Sequence, residues 1–455
     1  GPDDIIENKQ YMMTSAASIF GNCQPGEALV SMANNTVKQL KDIKEGDTVW
    51  SLGLNNLMTD TVAKKIDSGV KKIFKITTRT RTTRATEEHP FLTIQSEKQW
   101  DGKIINYLVW KKLKDIKVGD VISVIRNIPE REKGEFNFSQ MIGQDKDRHA
   151  FMKLLGFFLG DGWTRNRIGQ SYEVSLAVYD SLLMEKYARI IKNVFGYEAK
   201  KSMNNNVLSI YSKDILELFE KCGITGKSTE REIPDWIFTL SHDLQLSFLE
   251  GYIDSDGYIN SNNSWVFEAN NEWLVKKLRM LCIHLGMNVS NIFVRTRVEL
   301  EILGKSTKPT SPSFSFQAYP NYSKNRSTYI AGSTELLNTN IEYERVSKIV
   351  YDGEEKTYDL NLSYGHHNYF ADGVVVHNSG GALYLKRTQE LIGVPSRISV
   401  ALVGFGGSPI SHMSYSIPFT RIYQFLEDNC FQFIYDSNQT EKQCGELRKK
   451  KEESQ

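Results

Sequence analysis

No apolar run in this chain approaches the roughly 18 residues that a membrane-spanning helix needs, and no leader-like apolar segment opens it. A membrane role carried by helices is therefore not expected. Cysteine is scarce, and the five residues Cys23, Cys222, Cys282, Cys430 and Cys444 are odd in number and scattered. That argues against a paired disulfide framework and for a reducing, cytoplasmic setting. Net charge is almost missing as well: 56 basic side chains against 55 acidic ones leave +1. No global field favours nucleic acid, so any DNA-binding face must be a local patch. What remains is an ordinary globular composition, 40% hydrophobic and 24% charged, over 455 residues. Such a length corresponds to about three domains.

One internal repeat stands out. VKQLKDIKEGDTVWSL from Val37 returns as VWKKLKDIKVGDVISV from Val109, with LKDIK-x-GD shared between Leu40–Asp47 and Leu113–Asp120. Each copy reads as a polar turn leading into a β-branched strand. The pair predicts a small all-β domain built from two related halves, or else a recurring strand–turn module with no chemistry. Between the copies, Lys64 to Arg84 holds eight basic side chains against the single acid Asp67. Solvated strand faces account for this as well as a DNA contact does. The strand-rich, glycine-punctuated KTYDLNLSYGHHNYFADGVVVHN from Lys356 is expected to complete the β domain. The intervening region, roughly 145–335, changes to helical patterns such as FMKLLGFFLG, SLLMEKYARIIKNVF and NEWLVKKLRMLCIHLG. An α+β domain inserted into a β domain is the expected organisation.

The ends of the interrupted segment carry their own signal. Removing Cys23 to Asn378 would join FGN to SGGALY, giving GNSGGALY. Cys23, Thr86-x-x-His89, the YDL of Tyr358 to Leu360, His367, and His377-Asn378 followed by Ser379 together resemble the ordered sequence blocks of inteins. Each element alone is weak, and His89 by itself reads more readily as a hydrogen-bonded turn histidine before Pro90. Six in order are specific. The resemblance implies a horseshoe-like Hint splicing domain and a chemical role for each residue. Cys23 would attack the carbonyl of Asn22, with a thiol whose ordinary pKa of about 8.5 leaves little thiolate at neutral pH. His89 would protonate the departing nitrogen, and Thr86 would hold the imidazole or the scissile amide. Ser379 would then accept the acyl group, with Asp359 assisting. The Asn378 carboxamide would finally attack its own carbonyl, a ring closure worth on the order of 7–11 kcal/mol when well oriented. His377 and His367 would polarise that carbonyl and protonate the leaving group.

Within the insert, LLGFFLGDG (Leu154–Gly162) and LEGYIDSDG (Leu249–Gly257) share a pattern and resemble the LAGLIDADG motif of homing endonucleases. Gly156/Gly160 and Gly251/Ser255 are small residues four apart, which lets two helix backbones approach closely. Gly162 and Gly257 are expected to stop the helices. Asp161 and Asp256 should meet at the bottom of the pair, where two carboxylates invite Mg²⁺. The resemblance implies metal-assisted hydrolysis of double-stranded DNA at the intein-less insertion site, by a chain that acts as a monomer because it carries both motifs. It also implies a lysine before the second motif, in Lys-x-Ile-Pro. Here Arg231-Glu232-Ile233-Pro234 stands instead, and Arg cannot easily relay a proton. Lys227 is the candidate substitute.

The expected domains are an N-terminal flank at 1–22, splicing-domain parts at 23–140 and 336–378, an endonuclease at 141–335, and a C-terminal flank at 379–455. The rejoined GNSGG resembles the nucleophile loop of trypsin-like serine proteases, with β-rich flanks. Two other readings stay open. The insert could only bind DNA, or the chain could be a serine protease with a large inert insertion.

Overall fold

The computed structural model describes residues 23–53, 56–130, 147–167, 171–202, 206–296, 312–320, 339–363 and 367–378, together with positions 138, 142, 204 and 443. Elsewhere only strand backbones are described. Those of the flanks, Tyr11–Ser15, Gly381–Leu385, Leu391–Val403 and Gly406–Pro418, form one four-stranded antiparallel sheet in that order. The remaining flank residues, Ser379 and Asn22 included, lie outside the described residues.

Twelve strands form the first domain: β1 (Gln24–Pro25), β2 (Leu29–Ser31), β3 (Val37–Gln39), β4 (Thr48–Leu52), β5 (Leu57–Thr78), β6 (Thr82–Ala85), β7 (Pro90–Lys98), β8 (Ile104–Lys112), β9 (Val121–Ile125), β10 (Ile341–Leu362), β11 (Asn368–Ala371) and β12 (Val374–His377). Their order is β3-β2-β11-β12-β7-β9-β10-β5-β4, with β1 on β10, β6 on β5 and β8 on β7. The long strands β5 and β10 run antiparallel, and register shifts at four places let the ribbon bend through both halves.

The LKDIK-x-GD repeat is a structural two-fold. Each copy makes a short 3₁₀ turn, Leu40–Asp42 or Leu113–Asp115. Asp47 and Asp120 each accept the backbone N–H three residues back, from Lys44 and Lys117, at 2.9 Å. Each also pairs with a lysine, Lys38 at 3.0 Å and Lys111 at 2.7 Å. Gly46 and Gly119 sit at φ +87° and +98°, which a side chain would strain. Their N–H groups donate to Val62 and Val346 on β5 and β10, each at 2.8 Å. Leu40 and Leu113 fill equivalent buried positions. The same eight residues thus build the same corner twice, at opposite ends of the β5–β10 ribbon.

The basic run from Lys64 to Arg84 is met by acids of β10. Arg84 pairs with Asp352 at 2.6 Å and with Glu355, Lys75 with Asp352 at 3.1 Å, and Lys356 returns to Asp67 at 2.7 Å. Arg81 is buried and binds backbone carbonyls. Lys75, Arg81 and Arg84 of this run are therefore engaged within the domain.

The insert contains two similar halves. Helix α1 (Arg148–Asp161) precedes strands Gly162–Arg167 and Ser171–Ala177, then α2 (Ser181–Phe195), strands Lys200–Ser202 and Val207–Ile210, and α3 (Lys213–Cys222). Helix α4 (His242–Asp256) precedes strands Gly257–Ile259 and Trp265–Ala269, then α5 (Glu272–His284) and strands Asn288–Val289, Phe293–Arg295 and Ser313–Tyr319. Asp147, Asp180, Ser212 and Asn271 accept N–H groups of the first turns of α1, α2, α3 and α5. Phe151, Phe157, Phe158, Phe248 and Tyr252 are fully buried around the helix pair, each worth roughly 1.5–3 kcal/mol of burial. That core is continuous with Leu29, Ile125, Ile128, Phe370 and Val375 of the first domain. Ile128 N–H of the splicing part donates to the His284 carbonyl of the insert at 3.0 Å. Among the described residues, no helix is long and apolar enough to cross a membrane.

Candidate functional site

At the upstream end, Cys23 is fully buried. Its N–H donates to Thr86 Oγ1 at 3.0 Å, and both the Thr86 hydroxyl and N–H point back to the Cys23 carbonyl, at 3.2 and 2.9 Å. Of the two partners considered for Thr86, its hydroxyl sits on the backbone amide of Cys23. Three residues on, the His89 N–H donates to the Thr86 carbonyl at 3.1 Å, so the tight Thr86–His89 turn fixes the imidazole's origin. The ring is buried, edge-on to Phe91 at 5.5 Å.

Burial pushes the Cys23 thiol up; a hydrogen bond with Ser68 and the charge of Lys71 oppose this, and the Asp359 charge reinforces it. At neutral pH Cys23 is accordingly held as a thiol, so the proton must leave during attack. Asp359 is itself fully buried on β10, beside the β1 pairing. Gln24 accepts a hydrogen bond from the buried Tyr369 hydroxyl at 3.1 Å and bonds Thr83, tying the upstream end to β11.

The downstream end follows β12 and meets the C-terminal end of β10. Asn378 is fully buried, and its N–H donates to the His367 carbonyl at 3.0 Å. Its carboxamide satisfies both neighbours when the nitrogen donates to that same carbonyl, at 2.8 Å, and the oxygen accepts from Leu362 N–H at 3.1 Å. Leu362 is three residues beyond Asp359, roughly 10 Å along the strand. Strand β10 therefore passes both ends: Gln24, next to Cys23, pairs with Tyr358, next to Asp359, and Asn378 meets Leu362 three residues further on. His377 ends β12 with its ring stacked near His367, centroids 5.9 Å apart, and edge-on to Trp110 at 4.7 Å. Burial, then the neighbouring His367, push His377 down to about 4, so its imidazole is neutral at physiological pH. His367 holds φ +53°, a left-handed turn that brings its carbonyl onto Asn378.

A second cluster occupies the insert. Helices α1 and α4 touch backbone to backbone: a Cβ on Gly156 would lie 1.9 Å from the Phe248 carbonyl oxygen, one on Gly251 2.0 Å from that of Lys153, and one on Gly160 2.3 Å from Ser255 Oγ. The small residues are needed for space. Gly162 and Gly257 end the helices as expected, with extended backbone (φ −95° and −122°). Glycine is required there because a Cβ would strike Phe158 or Ile253.

The contact brings Asp161 and Asp256 together, and burial raises both carboxyls. Asp256 reaches about 6 with help from the Asp161 charge, while Arg231 pulls both back. Arg231 is buried, lies over the Phe158 ring at 5.4 Å, and aims Nη1 at the Phe158 and Leu159 carbonyls (3.4 and 3.5 Å). It is thus the counter-charge at the helix ends. Lys227 does not join them: its side chain is 82% exposed, beside Glu230.

Among the described residues no group of three or more His, Cys, Asp or Glu side chains converges. Two carboxylates still suit Mg²⁺, which is commonly held by one or two carboxylates plus substrate phosphates.

Sequence reasoning missed Ser68, Lys71, Gln24, Tyr369 and Trp110. Only Trp110, at the edge of the repeat, carried a signal.

A twelve-stranded antiparallel sheet around a buried Cys–Thr–His turn and a buried Asn end defines a self-processing β domain. The chain belongs to the intein splicing domain family, whose sequence profile matches residues 30–378. It is similar to an iron–sulfur cluster assembly SufBD family protein of Mycobacterium leprae, 25% identical over 82% of this chain and 46% of that protein. It is also similar to the replicative DNA helicase DnaB of a Nostoc species, 22% identical over 82% of this chain and 50% of that one. The chain thus spans half or less of the length of these relatives. Among solved structures, a DnaB intein from Synechocystis overlaps 78% of this chain and 98% of its own at 12% identity, with a TM-score of 0.27. The homing endonuclease I-DmoI in complex with DNA and Ca overlaps 38% of this chain and 83% of its own at 16% identity, also with a TM-score of 0.27.

Proposed function

We propose that the chain excises residues 23–378 and joins its flanks. The observation that supports this is that β10 passes both ends, with Gln24 next to Cys23 paired to Tyr358 next to Asp359, and Asn378 meeting Leu362 three residues beyond Asp359. Cys23 Sγ would attack the Asn22 carbonyl; the C–N bond breaks, a C–S bond forms, and the thiol proton ends on the freed nitrogen by way of His89. The Ser379 hydroxyl would then form an ester with the same carbonyl, releasing the Cys23 thiol, with Asp359 as the proton acceptor. Asn378 Nδ2 would next attack its own carbonyl, closing a succinimide and freeing the Ser379 amine. Neutral His377 can take the proton from that nitrogen, and His367 can supply one to the leaving amine. The amine finally displaces the ester oxygen, leaving an Asn22–Ser379 peptide bond.

The test is intact mass and a denaturing gel of freshly expressed protein. Cys23→Ala with Asn378→Ala should leave the full-length chain. Asn378→Ala alone should release the upstream fragment on addition of dithiothreitol. Absence of thiol-dependent release would overturn the role of Cys23. Ser379→Ala should block joining, whereas Ser379→Cys should permit it, because a thiol is the better nucleophile.

For the insert, the reading is a LAGLIDADG-type nuclease that cuts double-stranded DNA encoding the uninterrupted GNSGGAL junction. Asp161 and Asp256 would hold Mg²⁺, which when bound supplies the positive charge that phosphodiester hydrolysis requires. Arg231 would hold the two helix ends in register and balance their charge. The flanks are read as pieces of a trypsin-like protease, restored at GNSGG by splicing. A tandem mass spectrum reading FGNSGG across the joint checks the junction.

A further inference from the structure

The insert reaches into the splicing domain at one turn. Residues 78–81 connect β5 to β6, and β6 leads directly to Thr86 and His89. From α5 of the insert, the Arg279 guanidinium donates to the Thr80 carbonyl and, through Nε, to the Ser290 carbonyl at 2.8 Å. The neighbouring Asn291 donates to the Thr78 carbonyl at 2.9 Å and accepts from the Thr82 hydroxyl at 3.0 Å. Arg279 is only 7% exposed. A buried guanidinium with a fixed fork of donors sets a geometry that a flexible surface lysine does not.

The far side of the same turn faces the exit arm. Arg81, also buried, donates to the Ile125 carbonyl at 2.6 Å and to the Gly373 carbonyl at 3.4 Å. Gly373 is the left-handed corner of the β11–β12 hairpin, φ +76°, and a Cβ there would meet Arg81 Nε at 2.7 Å. Its neighbour Asp372 accepts from Thr83 Oγ1 at 2.7 Å and Leu29 N–H at 2.9 Å. Glu344 of β10 closes the cluster, accepting from the Thr78 and Thr80 hydroxyls at 2.6 Å each. One turn therefore has the insert on one face and, on the other, the hairpin whose second strand ends in His377-Asn378.

We propose that Arg279, although it belongs to the insert, is a positioning residue for the splicing reaction, holding the turn from which both reactive arms depart. This rests on the splicing reading above. The exit arm depends on it more. Strand β12 is laddered to β11 along all four residues, but that hairpin meets the turn through side chains, Arg81 on Gly373 and Thr83 on Asp372, whereas β6 continues the turn and is itself laddered to β5. The insert is then a structural part of the splicing machine. Its loss or loosening is felt first at Asn378.

The experiment uses the full chain carrying Arg279→Met, Arg279→Lys or Asn291→Ala, with two rates measured in each. One is dithiothreitol-driven release of the upstream fragment; the other is release of the downstream flank by Asn378 cyclisation. Losing a buried, charge-assisted hydrogen bond corresponds to about tenfold in rate when the whole effect reaches one step. Arg279→Met should slow the downstream cut by about that factor while thiol-driven upstream release changes several-fold less, and Arg279→Lys should recover part of the loss. Downstream cutting at the wild-type rate in Arg279→Met, or parallel loss of both cuts, would overturn the proposal. Should Arg279→Met fail to accumulate as folded protein, the half-buried Asn291→Ala decides by the same ratio. A wild-type chain that makes neither cut would instead refute the splicing reading, leaving the two claims separable.

Discussion

The chain contains two internal duplications, and they use repetition for opposite ends. In the splicing domain, LKDIK-x-GD builds a corner twice and carries none of the residues proposed to react. Cys23, Thr86, His89 and Asn378 all lie outside it, at positions that its two-fold does not relate. In the insert the duplicated motif is itself the proposed site: the close approach at Gly156 and Gly251 is what brings Asp161 to Asp256. A duplication that shapes backbone frees its two halves to diverge chemically. A duplication that meets at its own axis must keep its chemistry paired.

The sharpest way to break this comparison is to remove one carboxylate. Asp161→Asn or Asp256→Asn should abolish metal-dependent cutting of DNA carrying the GNSGGAL junction while excision proceeds at the wild-type rate. Plasmid linearisation and a splicing gel on the same preparation check both halves of the statement. If excision falls in step with cutting, the two sites are not chemically separate.

Next in size is the glycine contrast. Gly156→Ala places a methyl group inside the Phe248 carbonyl, which only displacement of a helix can relieve. A loss of more than about 4 kcal/mol is expected from overpacking of this severity. Gly46→Ala meets no atom within 4 Å and only strains a positive φ, at a cost of about 1–2 kcal/mol. Urea unfolding of the two variants should therefore differ severalfold in destabilisation, and similar losses would erase the distinction between glycine for space and glycine for conformation.

Acid sensitivity separates the regions more gently. Burial pushes His284 down to about 3 and His377 to about 4, against about 6.5 for a free imidazole. The folded chain keeps both neutral. Below pH 6.5 the unfolded chain binds protons that the folded one refuses, so these groups lower stability as pH falls from about 6.5, and the loss levels off once each folded imidazole titrates near 4 or 3. The raised carboxyls of Asp161 and Asp256 act in the opposite sense. The difference between wild type and His284→Gln isolates the histidine. The variant should lose less stability between pH 7 and 4.5 in urea titrations; an unchanged slope would exclude His284.

Much of this was legible from residues alone. Small residues four apart, followed by Asp-Gly, announced the helix pair because steric need leaves few substitutes for glycine. The repeat announced its corner because a buried leucine, an aspartate and a positive-φ glycine recur at fixed spacing. The junction was not legible. Helix α5 carries Lys277, Arg279 and His284, yet all three are buried, bonded to the insert at Ile233 and to the splicing domain at Thr80 and Ser31. Pattern cannot separate a charge facing water from one facing carbonyls far away in sequence. Arg231 was noticed as a departure, but its seat over Phe158 depends on a packing that sequence does not specify. Lys227, three residues into a turn from Arg231's segment, looked equivalent and points outward.

The complete burial of Cys23 turns the precursor into a clock for its own breathing. A thiol with no exposed surface reacts with an alkylating reagent only during excursions that uncover it, so its labelling rate counts those openings. In a chain prevented from cutting at Asn378, iodoacetamide would race the internal acyl shift for the same sulfur. The fraction alkylated at each reagent concentration then measures how long the site stays shut, independently of how fast it reacts.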